Sequence, residues 1–103
     1  AAMREEIFGP VVCAAPFKTV DDVIAAANDT NYGLAAGIFT NDLTRAHSMA
    51  QQIRAGTVWI NCYAHVDPTQ PFGGYKQSGW GREFGPNALE AYLEVKSVQV
   101  ALA

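Results

Sequence analysis

The sequence is short of net charge, cysteine and long apolar runs. Its 103 residues contain 7 Lys or Arg and 10 Asp or Glu, and the net charge of −3 gives no basic surface for nucleic acid. No apolar run approaches the roughly 20 residues of a membrane-spanning helix. No basic segment followed by an apolar one opens the chain. We therefore expect neither nucleic acid nor a membrane as a partner.

Cysteine and histidine offer little metal-binding chemistry. Cys13 and Cys62 lie far apart, and neither belongs to a CxxC pair, which argues against a disulfide framework and against a structural zinc site. His47 and His65 add no ligand spacing, so no metal site is predicted. Two reduced, mostly buried thiols in a cytoplasmic protein are the expectation.

Half of the residues are hydrophobic and 17% are charged, a balance typical of a globular protein. Three short apolar runs, at 11–17, 35–39 and 57–60, predict strands. Their continuous apolar character favours burial on both faces of a sheet. The chain begins at Ala1 and reaches the first of these runs by Val11, which suggests a piece of a longer protein.

Helices are predicted between these strands. Thr19 and Asp22 have the spacing of a capping box, and Asn41 or Asp42 can cap a second helix that ends at Gly56. The apolar positions follow helical spacing: Val20, Val23, Ile24 and Ala27 in the first, and Leu43, Ala46, Met49, Ala50 and Ile53 in the second. Strands joined through helices are parallel, so residues 11–60 predict an α/β fold with a parallel β-α-β-α-β portion.

The remaining residues have another character. Residues 61–85 are rich in Gly and Pro and predict a long ordered loop, which in a compact domain is usually functional. Pro86 suits the first position of a following helix. Residues 96–102 then alternate apolar and polar side chains, which predicts a strand with one apolar face. Such a strand needs a partner sheet from this chain or from another.

Motifs of catalysis and phosphate binding are weak. The pattern G-x-G-x-x-x-G at 79–85 is one residue longer than the dinucleotide fingerprint and does not follow a predicted strand, and residues 73–78 lack the Gly-Lys of a phosphate loop. An anion site at 79–85 stays open as a minor hypothesis, although tight turning is the favoured use of these glycines. A nucleophile needs a nearby base, and none is identifiable for Cys13 or Cys62, so no catalytic residue is predicted.

Five ordered segments resemble signatures of the NAD(P)-dependent aldehyde dehydrogenase superfamily, and together they cover essentially the whole chain. They read EEIFGPV at 5–11, NYGLAAGIFT at 31–40, AGTVWIN at 55–61, PFGGYKQSG followed by GRE within 71–83, and YLEVKSV at 92–98. Any one of these segments would be weak, but five in the expected order are highly specific.

The resemblance implies roles in cofactor binding for two residues near the start of the chain. Glu6 matches the family carboxylate that accepts hydrogen bonds from the nicotinamide ribose. Phe8 matches the aromatic residue that packs near the nicotinamide and ribose, and a plain core aromatic is the less favoured alternative. The implied cofactor is NAD or NADP.

The resemblance also implies a substrate pocket and an oligomer interface. Phe72 matches an aromatic residue of the aldehyde pocket, and Ala64, His65 and Val66 fall in the variable loop that shapes it. Val66 replaces an aromatic residue found in several family members. Residues expected at a subunit interface of a homodimer or homotetramer are Arg82, Val98, Val100 and Leu102.

Residues 1–95 would then be the C-terminal part of the catalytic domain, and residues 96–103 the oligomerisation strand. The family's catalytic cysteine, its general-base glutamate and its Rossmann domain would belong upstream of residue 1. The parent enzyme would oxidise an aldehyde to a carboxylic acid, whereas the isolated chain should not turn over. The alternative is a non-enzymatic assembly module that uses the C-terminal strand.

Overall fold

The structure is a computed structural model that describes residues 2–103. Within these residues it contains two α-helices, four short strands and one 3₁₀ helix. In chain order they are α1 (Val20–Asn28), β1 (Tyr32–Gly33), β2 (Ala35–Ile38), α2 (Leu43–Gln52), β3 (Thr57–Ile60), β4 (Tyr75–Lys76) and the 3₁₀ helix Pro86–Tyr92. No helix of this part of the chain has the length and apolar character to cross a membrane.

Both α-helices begin where the sequence predicts, because side chains satisfy their first backbone N–H groups. The Thr19 hydroxyl accepts a hydrogen bond from the Asp22 N–H, and the Asp22 carboxylate accepts one from the Thr19 N–H, both at 3.1 Å. This capping box starts α1. At α2 the cap is Asp42 and not Asn41, and its carboxylate accepts from the Arg45 N–H at 2.9 Å.

The centre of the fold is the unit β2-α2-β3. Its two strands are parallel, and their register runs from Ala35 opposite Thr57 to Ile38 opposite Ile60. Strands therefore form within the predicted runs 35–39 and 57–60 with a helix between them, although β2 ends at Ile38. Helix α2 nevertheless ends at Gln52, before the predicted stop at Gly56.

The core is small and lies between the two helices and β2. Its buried members are Ile24 of α1, Ile38 of β2 and Ala46 of α2, and Ala46 is only 1% exposed. Leu43, which the spacing placed on the buried face of α2, is 67% exposed. The described chain therefore covers only part of the apolar helix surface that its sequence provides.

A second, antiparallel pair joins distant parts of the chain. Tyr32 of β1 lies opposite Lys76 of β4, and Gly33 lies opposite Tyr75. Lys76 also donates from Nζ to the carbonyl oxygens of Asn28 and Thr30, both at 2.9 Å. The long loop after β3 is thereby fastened to the end of α1, an arrangement that the sequence analysis missed.

The predicted strand at 11–17 is wrong for the described chain. These residues form no strand and are exposed, because no neighbouring strand is available within residues 2–103 to complete a ladder. Only β2 and β3 of the predicted β-α-β-α-β portion form parallel strands here. Cys13 is consequently exposed, as is Cys62, so the expected burial of both thiols is also wrong.

The C-terminal residues leave the core in the same way. Pro86 does start a helix, but the helix is of the 3₁₀ type and has no buried residue. Residues 96–102 pair with no strand in the part of the chain described here. The radius of gyration is 18.7 Å, compared with about 13 Å for a compact domain of 100 residues. The elongated shape follows from these two uncovered ends.

Glycine is required where two loops cross beside β3. A side chain at Gly56 would collide with the carbonyl group of Gly73, and one at Gly73 would collide with the Gly81 carbonyl and the Arg82 side chain. Backbone atoms cannot swing aside as a flexible side chain can. Because Gly56 and Gly73 lack a Cβ atom, the glycine-rich loop of residues 73–85 can lie directly against the start of β3.

We expect Gly56→Ala to destabilise the fold by about 1–3 kcal/mol, because the added methyl group must displace backbone. Gly81→Ala is the matched control, since a Cβ atom there meets nothing within 4 Å. Urea denaturation followed by circular dichroism measures both variants. Equal stability of the two variants would contradict the close approach at Gly56.

Candidate functional site

Three of the four residues predicted for a substrate pocket lie together. His65, Val66 and Phe72 line one cavity of about 40 Å³. Its other lining residues come from β3, from the loop that follows it and from the segment after β4: Thr57, Trp59, Asp67, Gln70, Pro71 and Phe84. Such a space holds only a few water molecules. These lining residues form the cavity wall, and Ala64 is not among them.

The loop that carries these residues starts from a fixed point at the end of β3. Asn61 takes a positive φ of 56°, which Asn tolerates better than most residues. Its side-chain oxygen accepts from the Thr40 N–H and its Nδ2 donates to the Thr40 carbonyl, both at 2.9 Å. Its backbone N–H donates to the Ile38 carbonyl at 2.8 Å. These three bonds join the chain just beyond β2 to the chain just beyond β3.

Trp59 supports the far end of the same loop. Its indole N–H donates to the His65 carbonyl at 2.8 Å. Its ring also meets the ring of Tyr63 edge to face, with centroids 5.1 Å apart and an interplanar angle of 64°, a favourable geometry for aromatic pairs. Loop residues on both sides of Ala64 are thus held against β3.

Phe72 is positioned by different contacts. Its backbone N–H donates to the Glu83 carbonyl and its carbonyl accepts from the Glu83 N–H, both at 2.7 Å. This isolated antiparallel bridge fixes the direction of the Phe72 side chain independently of the loop with His65. The cavity wall is therefore built from two segments with separate supports.

Asp67 carries the perturbed carboxylate at the edge of the cavity. The backbone N–H of Thr69 and the Thr69 hydroxyl donate to its Oδ1 at 2.8 and 2.7 Å. The backbone bond, the hydroxyl bond and the positive potential of His65 together hold the pKa of Asp67 below its ordinary value. The charged form is therefore favoured, and it organises the turn that precedes Phe72.

Glu6 and Phe8, predicted to contact a nicotinamide cofactor, lie on an exposed extended segment and do not line the cavity. Phe8 is 94% exposed. An exposed carboxylate can accept two ribose hydroxyl groups, and an uncovered aromatic ring can pack on a planar group. These two residues therefore fit the cofactor chemically, although no other described residue joins them in a closed binding pocket.

The described residues contain no activated nucleophile. Both thiols are exposed, and the hydrogen bond of Cys13 goes to the carbonyl of Ala2 at 3.3 Å. Cys62 makes no hydrogen bond to a base among residues 2–103, even though it follows β3. A thiol needs a base, a cation or a helix N-terminus to become a strong nucleophile at neutral pH. Neither cysteine lines the cavity, and neither has such a group among its hydrogen-bond partners within residues 2–103.

Arg82, predicted at a subunit interface, holds the glycine-rich loop together in this structure. Its guanidinium donates to the carbonyls of Gly74 and Gly81 at 3.0 and 2.8 Å and lies 5.6 Å from the centre of the Tyr75 ring. Gly79 and Gly85 take positive φ values, which supports their use in turns. The other predicted interface residues, Val98, Val100 and Leu102, are exposed on the extended C-terminal segment.

The sequence analysis missed Trp59, Asn61 and Lys76 as organisers of the site. An Asn directly after a strand is a recognisable signal for a left-handed turn. The bonds from Trp59 to a carbonyl six residues later, and from Lys76 to carbonyls more than 40 residues earlier, leave no periodic signal in the sequence.

Comparison with known proteins gives one consistent result. The model of the aldehyde dehydrogenase family matches residues 1–98. The chain is 59% identical to DhaS of Bacillus subtilis over 96% of its own length, and 55% identical to the mitochondrial aldehyde dehydrogenase of Rattus norvegicus over 94%. A solved NAD+ complex of an aldehyde dehydrogenase from Bacillus cereus superimposes with a TM-score of 0.92, at 53% identity over 97% of this chain. The chain spans 20% of DhaS, 19% of the rat protein and 20% of the Bacillus cereus chain, about one fifth of each.

Proposed function

Because the chain belongs to the aldehyde dehydrogenase family, we propose that it is the C-terminal part of an enzyme that oxidises an aldehyde to a carboxylic acid with NAD or NADP. The observation that carries this proposal is the wall formed by His65, Val66 and Phe72 beside Trp59. By the resemblance, Phe72 matches an aromatic residue of the family's aldehyde pocket, and His65 and Val66 fall in the variable loop that shapes it.

The proposed division of labour follows from what the wall contains. Residues 1–95 would shape the substrate pocket and orient the cofactor, and residues 96–103 would join subunits. The attacking thiolate, the general base and the Rossmann domain would come from the parent outside this chain. This view is supported by the exposed, unactivated state of Cys13 and Cys62.

The cofactor would be held in part by Glu6 and Phe8. When bound, the nicotinamide cofactor accepts the hydride that the aldehyde carbon loses. The Glu6 carboxylate would accept hydrogen bonds from the ribose and so fix the orientation of the ring. Phe8 would pack against the same part of the cofactor. NAD+ is present in the Bacillus cereus relative, which favours this class of cofactor for the parent of this chain.

The substrate would contact the loop of Ala64, His65 and Val66 on one side and Phe72 on the other. Val66 is smaller than an aromatic residue and 55% exposed, so it would leave more room for the aldehyde than an aromatic side chain would. Hydrophobic contacts of this kind discriminate between substrates by about 1–3 kcal/mol per methylene group.

The parent is proposed to be a homodimer or homotetramer in the cytoplasm. If residues 96–102 pair as a strand, Val98, Val100 and Leu102 would share one face, because alternate residues of a strand point the same way. An uncovered apolar strand is a template for a neighbouring sheet. The same segment could serve a non-enzymatic assembly module, but the wall of the cavity and the family match over residues 1–98 favour the enzyme.

The first prediction concerns turnover. The purified 103-residue chain should give no aldehyde-dependent NADH or NADPH formation, because the described residues hold no nucleophile with a base. The complete enzyme that contains this chain should be active in the same spectrophotometric assay. Robust turnover by the short chain would overturn the proposed division of labour.

A second prediction isolates the role of Glu6. In the complete enzyme, Glu6→Gln should slow hydride transfer about 10- to 100-fold, because a charge-assisted hydrogen bond is replaced by a neutral one. The matched control is Glu5→Gln, which removes the adjacent carboxylate. Single-turnover kinetics with a deuterated aldehyde should show a larger isotope effect for Glu6→Gln only. Equal rates for both variants would remove the ribose role assigned to Glu6.

A third prediction concerns assembly. Val100→Glu should shift the complete enzyme toward smaller species, because a charge placed on the apolar face cannot be buried between subunits without a partner. Gln99→Glu adds the same charge to the opposite face and should leave the assembly unchanged. Size-exclusion chromatography with light scattering measures both masses. An unchanged mass for Val100→Glu would argue against the proposed interface.

A further inference from the structure

We propose that Trp59 is a positioning residue that determines which aldehydes the enzyme accepts, because it holds His65 and Val66 at a set distance from Phe72. This inference rests on the proposed function. Trp59 belongs to β3, and its backbone lies opposite Gly37 in the parallel pair with β2. Its indole therefore extends from a rigid element to a loop.

The loop depends on this one tether. In the part of the chain that the structure describes, residues 62–66 make a single hydrogen bond, and it is the one from the Trp59 indole to the His65 carbonyl at 2.8 Å. The next hydrogen-bonded turn begins only at Asp67, whose carbonyl accepts from the Gln70 N–H. Loss of the indole N–H would therefore leave the backbone of residues 62–66 without a hydrogen bond to the rest of the protein.

The loop is also held in a backbone conformation that it would not choose freely. Ala64 has a φ of 56°, a left-handed conformation that costs roughly 1 kcal/mol or more for a residue with a Cβ atom. Contacts flank it on both sides: the Tyr63 ring packs against Trp59, and the Trp59 indole donates to the His65 carbonyl. A loop under this restraint relaxes when the contacts are removed.

Tyr63 adds a second restraint that passes through the same tryptophan. Its ring lies close to Gly37, where an added Cβ atom would be 3.3 Å from Tyr63 Cδ2. The Tyr63 ring is thus packed over the backbone of β2 at Gly37 and against the ring of Trp59. The Trp59 side chain therefore supports the loop in two ways, through its N–H group and through its ring.

The effect on selectivity follows from the separate support of Phe72. Because Phe72 is fixed by its bridge to Glu83, a shift of the loop changes the distance between His65, Val66 and Phe72. The cavity between the loop and Phe72 would widen or change its shape while Phe72 stays in place. Aldehydes of different size should respond differently, since a pocket selects apolar substrates by its fit. Trp59 itself need not touch the substrate.

The experiment uses the complete enzyme with Trp59→Phe, which removes the N–H donor and keeps an aromatic ring. Tyr63→Leu removes the ring support and keeps the donor. The matched control is Trp80→Phe, since Trp80 is 92% exposed and lies outside the wall. The crystal structure of each variant reports the position of Val66 relative to the Phe72 ring, and kcat and KM for acetaldehyde and for hexanal report selectivity.

For Trp59→Phe we expect Val66 to move relative to the Phe72 ring, and we expect a two- to tenfold change in the ratio of kcat/KM between the two aldehydes, the range of one hydrogen bond. The change should appear mainly in KM. Tyr63→Leu should act in the same direction, and Trp80→Phe should match the wild type in both measurements.

Two results would overturn the inference. An unchanged position of residues 62–66 in Trp59→Phe would show that the indole does not hold the loop. A displaced loop with an unchanged selectivity ratio would show that the position of the loop does not determine substrate choice. An inactive wild-type enzyme would instead refute the proposed function, and the crystal structures would still decide whether Trp59 holds the loop.

Discussion

The parallel pairing of β2 and β3 is the constraint on which the rest of the structure depends. It brings the carboxyl ends of both strands to one edge, where open α/β sheets generally place their ligand sites. The amide group of Asn61 then joins the chain beyond the two strands through the backbone of Thr40. The direction in which the following loop leaves β3 is fixed there, and the Trp59 indole then binds the loop at the His65 carbonyl.

Local signals predicted the parts of the fold that need no distant partner. The capping box of Thr19 and Asp22 and the cap at Asp42 fix the starts of the helices, because the bonded groups lie within three residues of one another. The apolar runs of β2 and β3 also form as predicted, because the short helix connecting them brings them into contact. Both the caps and the apolar runs can be recognised from residues that lie close together in the sequence.

The same reasoning failed where an element depends on a neighbour. Residues 11–17 and 96–102 have the composition of strands, but a strand is completed by a hydrogen-bonded partner, and residues 2–103 supply none. The exposure of Cys13 follows from the same cause. For the site, the resemblance to the family predicted the pocket residues, and the structure places His65, Val66 and Phe72 around one cavity. The tether from Trp59 depends on side-chain geometry and carries no sequence pattern.

The antiparallel pair of β1 and β4, or clasp, has a consequence for the order of folding. Ala35 and Thr57, paired in the parallel unit, are 22 positions apart, whereas Tyr32 and Lys76 of the clasp are 44 apart. Doubling the length of a loop raises the entropy cost of closing it by only about 0.6 kcal/mol. The parallel unit, however, gains four residue pairs for its closure and the clasp gains two. We therefore expect the β2-α2-β3 unit to act as the local nucleus, with the glycine-rich loop closing over it in a later kinetic step.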